Sequence, residues 1–108
     1  GFGRCGEWFA SEKVFGVVPD IITFAKGVTS GYVPLGGLAI SEAVLERISG
    51  ENAKGSWFTN GYTYSNQPVA CAAALANIEL MEREGIVDQA RDLAEYFARA
   101  LASLRALP

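Results

Sequence analysis

Histidine is absent from these 108 residues, and cysteine occurs only twice, at Cys5 and Cys71. Zinc and iron sites usually draw on histidine or on several cysteines, so no metal site is expected. The missing histidine also excludes a Ser-His-Asp triad within the chain. Two thiols far apart in unrelated contexts read as free thiols of a reducing cytoplasm, although the sequence leaves a disulfide open. An excess of positive charge is lacking too. The net charge of −3 argues against nucleic acid and anionic membrane surfaces as main partners. The longest apolar run, residues 69–76, falls far short of the ~20 residues of a membrane-spanning helix. No apolar signal core opens the chain, and Arg4 and Glu7 interrupt its start. An initiating methionine is missing, and Leu107-Pro108 closes a helical pattern. Both ends read as cut, so a piece of something larger is expected.

What is present is largely apolar. Hydrophobic residues make up 50% of the chain, which argues against disorder, and its length suffices for one small domain with a core. Residues 1–9 mix glycines, aromatics and charges and read as a loop, followed by a short helix over 10–15. Residues 21–25 and 36–40 read as strands, the first a buried one of β-branched and aromatic residues. Ser41 then looks like an N-cap to a short helix ending at Ile48. Residues 49–67 show no clear period. Their glycines and asparagines alternate with Trp57, Phe58, Tyr62 and Tyr64, the pattern of a functional loop rather than a disordered one.

Pro68 fits the first position of a helix, and residues 69–84 continue with strong helix formers. Apolar on most sides, this helix is expected to be buried. Gly85 breaks it. A final amphipathic helix over 86–104 repeats Ile86, Ala90, Leu93, Phe97, Leu101 and Leu104 on one face. Asp88, Arg91, Asp92, Glu95 and Arg99 form the other, which reads as a solvated face, with Glu95 and Arg99 spaced as an i,i+4 pair. The order loop, strand, loop, strand, helix, loop, helix, helix suits part of an α/β sheet domain whose last helix leads elsewhere.

Three motifs bear on chemistry. Gly1, Gly3 and Gly6 match G-x-G-x-x-G, but no strand precedes them and no helix opens at them, so they read as a structural turn. Lys26 stands at the end of the strand 21–25, before Gly27 and a stretch of turn formers. A lysine there is either a solvated strand end or a nucleophile. Gly27, Gly31, Gly36 and Gly37 would let the backbone approach a ligand closely. A desolvated pocket or a nearby cation would lower the lysine's ordinary pKa of ~10.4 and free the amine for attack on a carbonyl. Tyr62-Thr63-Tyr64-Ser65, just before a helix start, reads equally as a capping cluster or as a phosphate site built from a hydroxyl and backbone N–H groups.

Together these segments resemble a family. Asp20-Ile21-Ile22-Thr23-Phe24-Ala25-Lys26-Gly27, followed by Ser30-Gly31-Tyr32-Val33-Pro34-Leu35-Gly36, is similar to the cofactor-lysine motif of the class III pyridoxal-phosphate aminotransferases, the ω-transaminases. Gly61-Tyr62-Thr63-Tyr64-Ser65 and Pro68-Val69-Ala70-Cys71-Ala72-Ala73-Ala74 resemble the phosphate loop and following helix of that family. Gly1-Phe2-Gly3-Arg4, with Gly6, Trp8 and Phe9, matches the loop ahead of the lysine strand. The resemblance spans essentially the whole chain, in order.

The resemblance implies an α/β fold: residues 1–85 as part of a fold-type I large domain, and residues 86–108 as a helix linking it to a small C-terminal domain. It implies pyridoxal 5′-phosphate as cofactor and Lys26 as the Schiff-base lysine. Lys26 would also move a proton between the cofactor's C4′ and the substrate's amine-bearing carbon. Thr63, with Tyr62, would bind the cofactor phosphate, in the neighbouring subunit's site of a homodimer. The reaction implied takes an amino group from an amine or ω-amino acid to a keto acid such as pyruvate.

The family's acidic partner of the pyridinium nitrogen, its ring-stacking aromatic and its substrate-carboxylate arginine have no counterpart in these residues, and Asp20 is read as the start of a strand. The 108 residues alone are therefore expected to be inactive. Asn60 stands where many relatives carry histidine, and Asn66-Gln67 where Gly-His is frequent. An aminomutase or decarboxylase on the same cofactor is the alternative within the fold; outside it stands a non-catalytic fragment that self-associates through apolar helix faces.

Overall fold

The structure, a computed structural model, describes residues 1–49 and 60–106. Trp57 and Phe58, expected in the functional loop, lie outside the described residues. Helix α1 (Ser11–Phe15) follows the opening loop. Strand β1 (Ile21–Ala25) runs into a 3-10 turn at Lys26–Thr29, and β2 (Gly36–Ile40) returns beside it. Helix α2 (Glu42–Ser49) comes next, then α3 (Pro68–Arg83) and α4 (Ile86–Ser103), with a closing 3-10 turn at Leu104–Ala106. The two strands fall where the pattern of β-branched residues and glycines places them.

The strands pair antiparallel, from Ile21 opposite Ile40 to Ala25 opposite Gly36. Asp20 and Ser41 close the far end. The Ser41 N–H donates to the Asp20 carbonyl at 2.8 Å, and its hydroxyl donates to Asp20 Oδ1 at 3.2 Å. The same hydroxyl accepts from the Val44 N–H at 3.4 Å, the capping role expected at this helix start. Asp20 thus stands immediately before β1, one residue ahead of the strand start read from its sequence position. At the other end Phe24 lies over Gly37, where an added Cβ would sit 2.6 Å from the ring's Cζ. Phe24 also meets Phe2 and Phe9 at ring-centroid distances of 6.2 and 5.8 Å, and Phe2 meets Trp8 edge-on at 5.4 Å. This cluster holds the opening loop against β1.

The same loop is fastened to α4. Gly6 has φ of 76°, and an added Cβ would lie 2.7 Å from Arg91 Cβ, so a side chain is excluded by both conformation and space. Arg91 donates to the Gly6 carbonyl from Nε at 3.0 Å and from Nη2 at 2.7 Å. It also pairs with Glu7 at 3.1 Å and with Asp88 at 2.8 Å. The first glycines serve this turn, in keeping with the structural reading of G-x-G-x-x-G. Arg91 stays exposed, as its helix face implies, yet also ties that face to the opening loop, because a guanidinium reaches carbonyl and carboxylate together.

Burial departs from expectation more than element boundaries do. Strand β1 alternates between exposed and half-buried positions instead of being buried, since its sheet has two strands and only the aromatic cluster packs on it. Helix α3 buries Ala70 and Ala74, while Val69 and Leu75 are 66% and 63% exposed. The accessible surface is 8917 Å², against about 5,800 Å² for a compact domain of this mass. The radius of gyration is 18.2 Å, against about 13 Å for a compact domain of this length. The expected small-domain core is thus only partly formed by these residues. No helix among the described residues is long and apolar enough to cross a membrane. Cys5 and Cys71 are free thiols, the first exposed.

Candidate active site

The chain leaves β1 through a sharp change of backbone. Ala25 is still extended at φ −161°, and Lys26 turns to φ 57°. Ser30, at the other end of the turn, has φ 50°. Left-handed backbone costs a non-glycine residue roughly 1–2 kcal/mol, so two such residues four positions apart need outside support. Part of it is local: Ser30 N–H donates to the Gly27 carbonyl at 3.2 Å and Gly31 N–H to the Lys26 carbonyl at 3.1 Å. Thr29 adds a hydroxyl bond to the Val33 carbonyl at 2.7 Å. Val28 and Thr29 are 3% and 2% exposed, among the few buried side chains described.

The rest comes from α3, against which the turn packs. Asn77 Nδ2 donates to the carbonyls of Gly27 at 3.0 Å and Val28 at 3.1 Å, while its Oδ1 accepts from the Ser30 hydroxyl at 2.6 Å. Ala70, Ala74, Asn77 and Met81 recur at four, three and four, which places them on one face of the helix. Sequence reasoning passed over Asn77. The signal was available: one amide in the middle of an alanine- and leucine-rich helix, where asparagine is a poor helix former.

Lys26 is exposed and borders three open cavities of about 650, 360 and 560 Å³. The largest is also lined by Gly27, Ser30, Gly31 and Asn77. Lys13 is held by Glu7 at 3.2 Å, whereas among the described residues no ion pair involves Lys26. The desolvated pocket anticipated around this amine is not built by the described residues, because its cavities open to solvent.

Tyr62 and Thr63 lie in the exposed approach to α3. The Ser65 N–H donates to the Tyr62 carbonyl at 3.0 Å, and Asn66 has φ 57°. Asparagine is among the few side chains that tolerate this conformation. Gln67 accepts from the Val69 N–H at 3.1 Å and caps α3, with Pro68 at the first helical position as expected. Neither Tyr62 nor Thr63 lines any of the three cavities that Lys26 borders.

A carbonyl-bearing cofactor needs an amine not committed to an ion pair and room beside it. Lys26 meets both conditions. A Cβ added at Gly31 or at Gly61 would meet nothing within 4 Å, whereas one added at Gly27 would lie 2.8 Å from Phe2 Cβ, so the backbone is open at Gly31 and on the Tyr62 loop but closed at Gly27, beside the lysine.

The family profile described as aminotransferase class-III matches residues 1–108. The chain belongs to the class-III aminotransferase family. Its sequence is 42% identical over 99% of its length to an adenosylmethionine-8-amino-7-oxononanoate aminotransferase of Anoxybacillus flavithermus, of which it covers 23%. It is 43% identical over 84% of its length to a putrescine–pyruvate aminotransferase of Pseudomonas aeruginosa, of which it covers 19%. Its fold matches that of a thermostable (S)-enantioselective ω-transaminase from Thermomicrobium roseum with a TM-score of 0.84, at 42% identity, over the whole chain and 23% of that protein. The mixed helix and sheet seen here is thus that of a transaminase segment, consistent with the α/β class expected. The chain spans about a fifth to a quarter of the length of these class-III relatives.

Proposed function

We propose that these residues are the lysine-bearing part of a pyridoxal 5′-phosphate-dependent aminotransferase that moves an amino group from an amine or ω-amino acid to a keto acid. The observation that carries the reading is Lys26, an amine outside any described ion pair, set in left-handed backbone at the end of β1 beside open cavities. The putrescine–pyruvate relative supports an amine donor and a keto-acid acceptor. The relatives named above are aminotransferases, which lends the aminomutase and decarboxylase readings no support.

The cofactor, when bound, supplies an aldehyde that captures an amine and a ring that takes up the electron pair left by the departing proton. Lys26 Nζ would hold that aldehyde. Once freed by the incoming amine, Nζ would take the proton from the substrate's amine-bearing carbon as a general base and, as a general acid, deliver it to the cofactor's C4′. Thr63 Oγ1 and the Tyr62 side chain would hold the phosphate of a neighbouring subunit's site in a homodimer. Their exposure, and their place away from the cavities of Lys26, support that division. Residues 1–85 belong, in this reading, to the large domain of a fold-type I enzyme, and residues 86–108 lead toward its C-terminal domain. The large uncovered surface supports a longer protein as the active species; a cytoplasmic location is part of the same proposal.

The carboxylate bordering the largest cavity is Glu84, which Arg83 approaches at 3.6 Å. No residue of the chain matches the family's pyridinium acid, so the 108 residues alone hold cofactor at Lys26 but do not turn over. The test treats the chain with pyridoxal 5′-phosphate, reduces it with borohydride and maps the label, alongside a transamination assay. Label concentrated on Lys26 without turnover is expected. Label spread evenly over the lysines removes the cofactor role, and clear turnover removes the claim of inactivity.

A further inference from the structure

We propose that Asn77 is the positioning residue of Lys26, acting from α3 through the backbone of the turn and not through the amine. The proposal rests on Lys26 being the cofactor lysine. Thr29 ties the turn forward to Val33 from within, whereas Asn77 reaches it from fifty residues away in sequence. The amide nitrogen donates to consecutive carbonyls, Gly27 and Val28, with Met81 Sδ a weaker acceptor at 3.6 Å, and its oxygen accepts from the Ser30 hydroxyl. The three bonds to the turn span the interval between the two left-handed residues, Lys26 and Ser30.

The chemistry of the side chain fits this position in a way its neighbours do not. A half-buried amide must be satisfied, and the turn satisfies it at both ends. Alanine or leucine would serve the helix better, so the amide's use lies in the contact. Without it the turn keeps its local bonds but loses its fixed bearing on α3. Lys26 and Asn77 border the same cavity, so that bearing sets the direction from which Nζ enters it. An amine that must meet a carbonyl carbon depends on such direction for its reactivity.

The experiment compares the full chain with its Asn77→Ala and Ser30→Ala variants. Each is treated with pyridoxal 5′-phosphate and borohydride, and label at Lys26 is read against label at exposed Lys13 as an internal standard. The parent chain labels Lys26 well above Lys13. Asn77→Ala lowers that ratio about fivefold or more, as expected when an aligned amine becomes a wandering one. Ser30→Ala, which removes one of the three bonds, lowers it about twofold.

Amide hydrogen exchange supplies a reading independent of cofactor. The N–H groups of Ser30 and Gly31 exchange about fivefold to tenfold faster in Asn77→Ala while the β1–β2 ladder is unchanged, the equivalent of one lost hydrogen bond. A folded Asn77→Ala chain that keeps both the labelling ratio and the protection overturns the proposal. If Asn77→Ala does not fold, an unchanged ratio and unchanged exchange in Ser30→Ala overturn it instead. Equal label on Lys26 and Lys13 in the parent chain removes the cofactor reading, and with it the role of Asn77 toward that cofactor. Faster exchange in that case leaves Asn77 as a support of the turn only.

Discussion

Val28 and Thr29, in the turn after β1, are 3% and 2% exposed, whereas Leu93 and Phe97, on the apolar face of α4, are 60% and 62% exposed. The turn carries a single apolar side chain, Val28, beside the polar Thr29, whereas α4 repeats apolar residues along one face. The two regions differ also in whether a partner lies within the chain. The turn is met by α3, whose small residues leave room for it and whose Asn77 bonds it. The stripe Leu93, Phe97 and Leu101 borders an open groove of about 640 Å³ that, among the described residues, Arg4, Cys5 and α4 itself line. A hydrophobic face gives stability only where something covers it. Among the described residues, the turn behind Lys26 is covered by α3, while the outer face of α4 is left uncovered.

The largest effect tests the covered side of this contrast. In the longer enzyme proposed to carry these residues, Lys26→Ala is expected to lower transamination on the order of 10²–10⁴-fold, the share general acid-base catalysis contributes. Lys26 is exposed and outside any described ion pair, so unfolding by urea is expected to stay near that of the parent. A variant that keeps a tenth or more of the parent's activity, about 1.4 kcal/mol or less in barrier, removes Lys26 from catalysis.

How much of this was legible in the sequence follows the same line. Elements fixed by local chemistry were readable. Residues 21–25 and 36–40 declare themselves as strands, Ser41 and Pro68 as helix starts, and Gly85 as a break. Lys26 was singled out because a strand end, a glycine and the Tyr62-Thr63 segment occur in the order a family shares; its chemical role stays a proposal. What required coordinates was long-range. Nothing near Asn77 reports that its amide meets Gly27 and Val28, and nothing near Arg91 reports the Gly6 carbonyl. Burial was misjudged for the same reason: a run of apolar residues shows what could be covered and not what covers it. Hence β1 and α3, apolar by sequence, remain largely exposed among the described residues.

Within the chain, Thr29→Val sharpens the comparison next. Valine fills the same space but leaves the Val33 carbonyl without its 2.7 Å donor in a buried place. Loss of that bond costs about 1–3 kcal/mol, read as a lower urea midpoint with unchanged slope. A cost below about 0.5 kcal/mol, the level of an ordinary surface change, means that the turn does not depend on its hydroxyl.

Arg91→Met follows, keeping the stem and removing the guanidinium. Bonds to charged groups are worth roughly 1.5–3 kcal/mol when shielded, but this side chain is 50% exposed, so about 1–2 kcal/mol is expected. Part of that cost disappears in high salt, since the contacts to Glu7 and Asp88 are screened while those to the Gly6 carbonyl are less so. Proteolysis within residues 1–9 should quicken in the variant. If it does not, the aromatic cluster of Phe2, Trp8, Phe9 and Phe24 holds the opening loop unaided.

Phe97→Ser gives the smallest effect and decides whether the outer face of α4 is uncovered. Serine and phenylalanine have nearly the same helix propensity, so the substitution removes apolar surface and little else. In the 108-residue chain the ring is 62% exposed, and its loss should change unfolding free energy by no more than about 0.5 kcal/mol. The same substitution in the longer enzyme should cost about 3–5 kcal/mol if the remaining chain covers this face, the cost of emptying a packed aromatic site. Sizing of the short chain separates a third outcome. If copies of the chain cover the face for one another, the parent runs as an oligomer and Phe97→Ser shifts it toward monomer. A cost above about 2 kcal/mol in a monomeric short chain would mean the ring already has cover, and the division between a covered lysine turn and an open outer helix would fail.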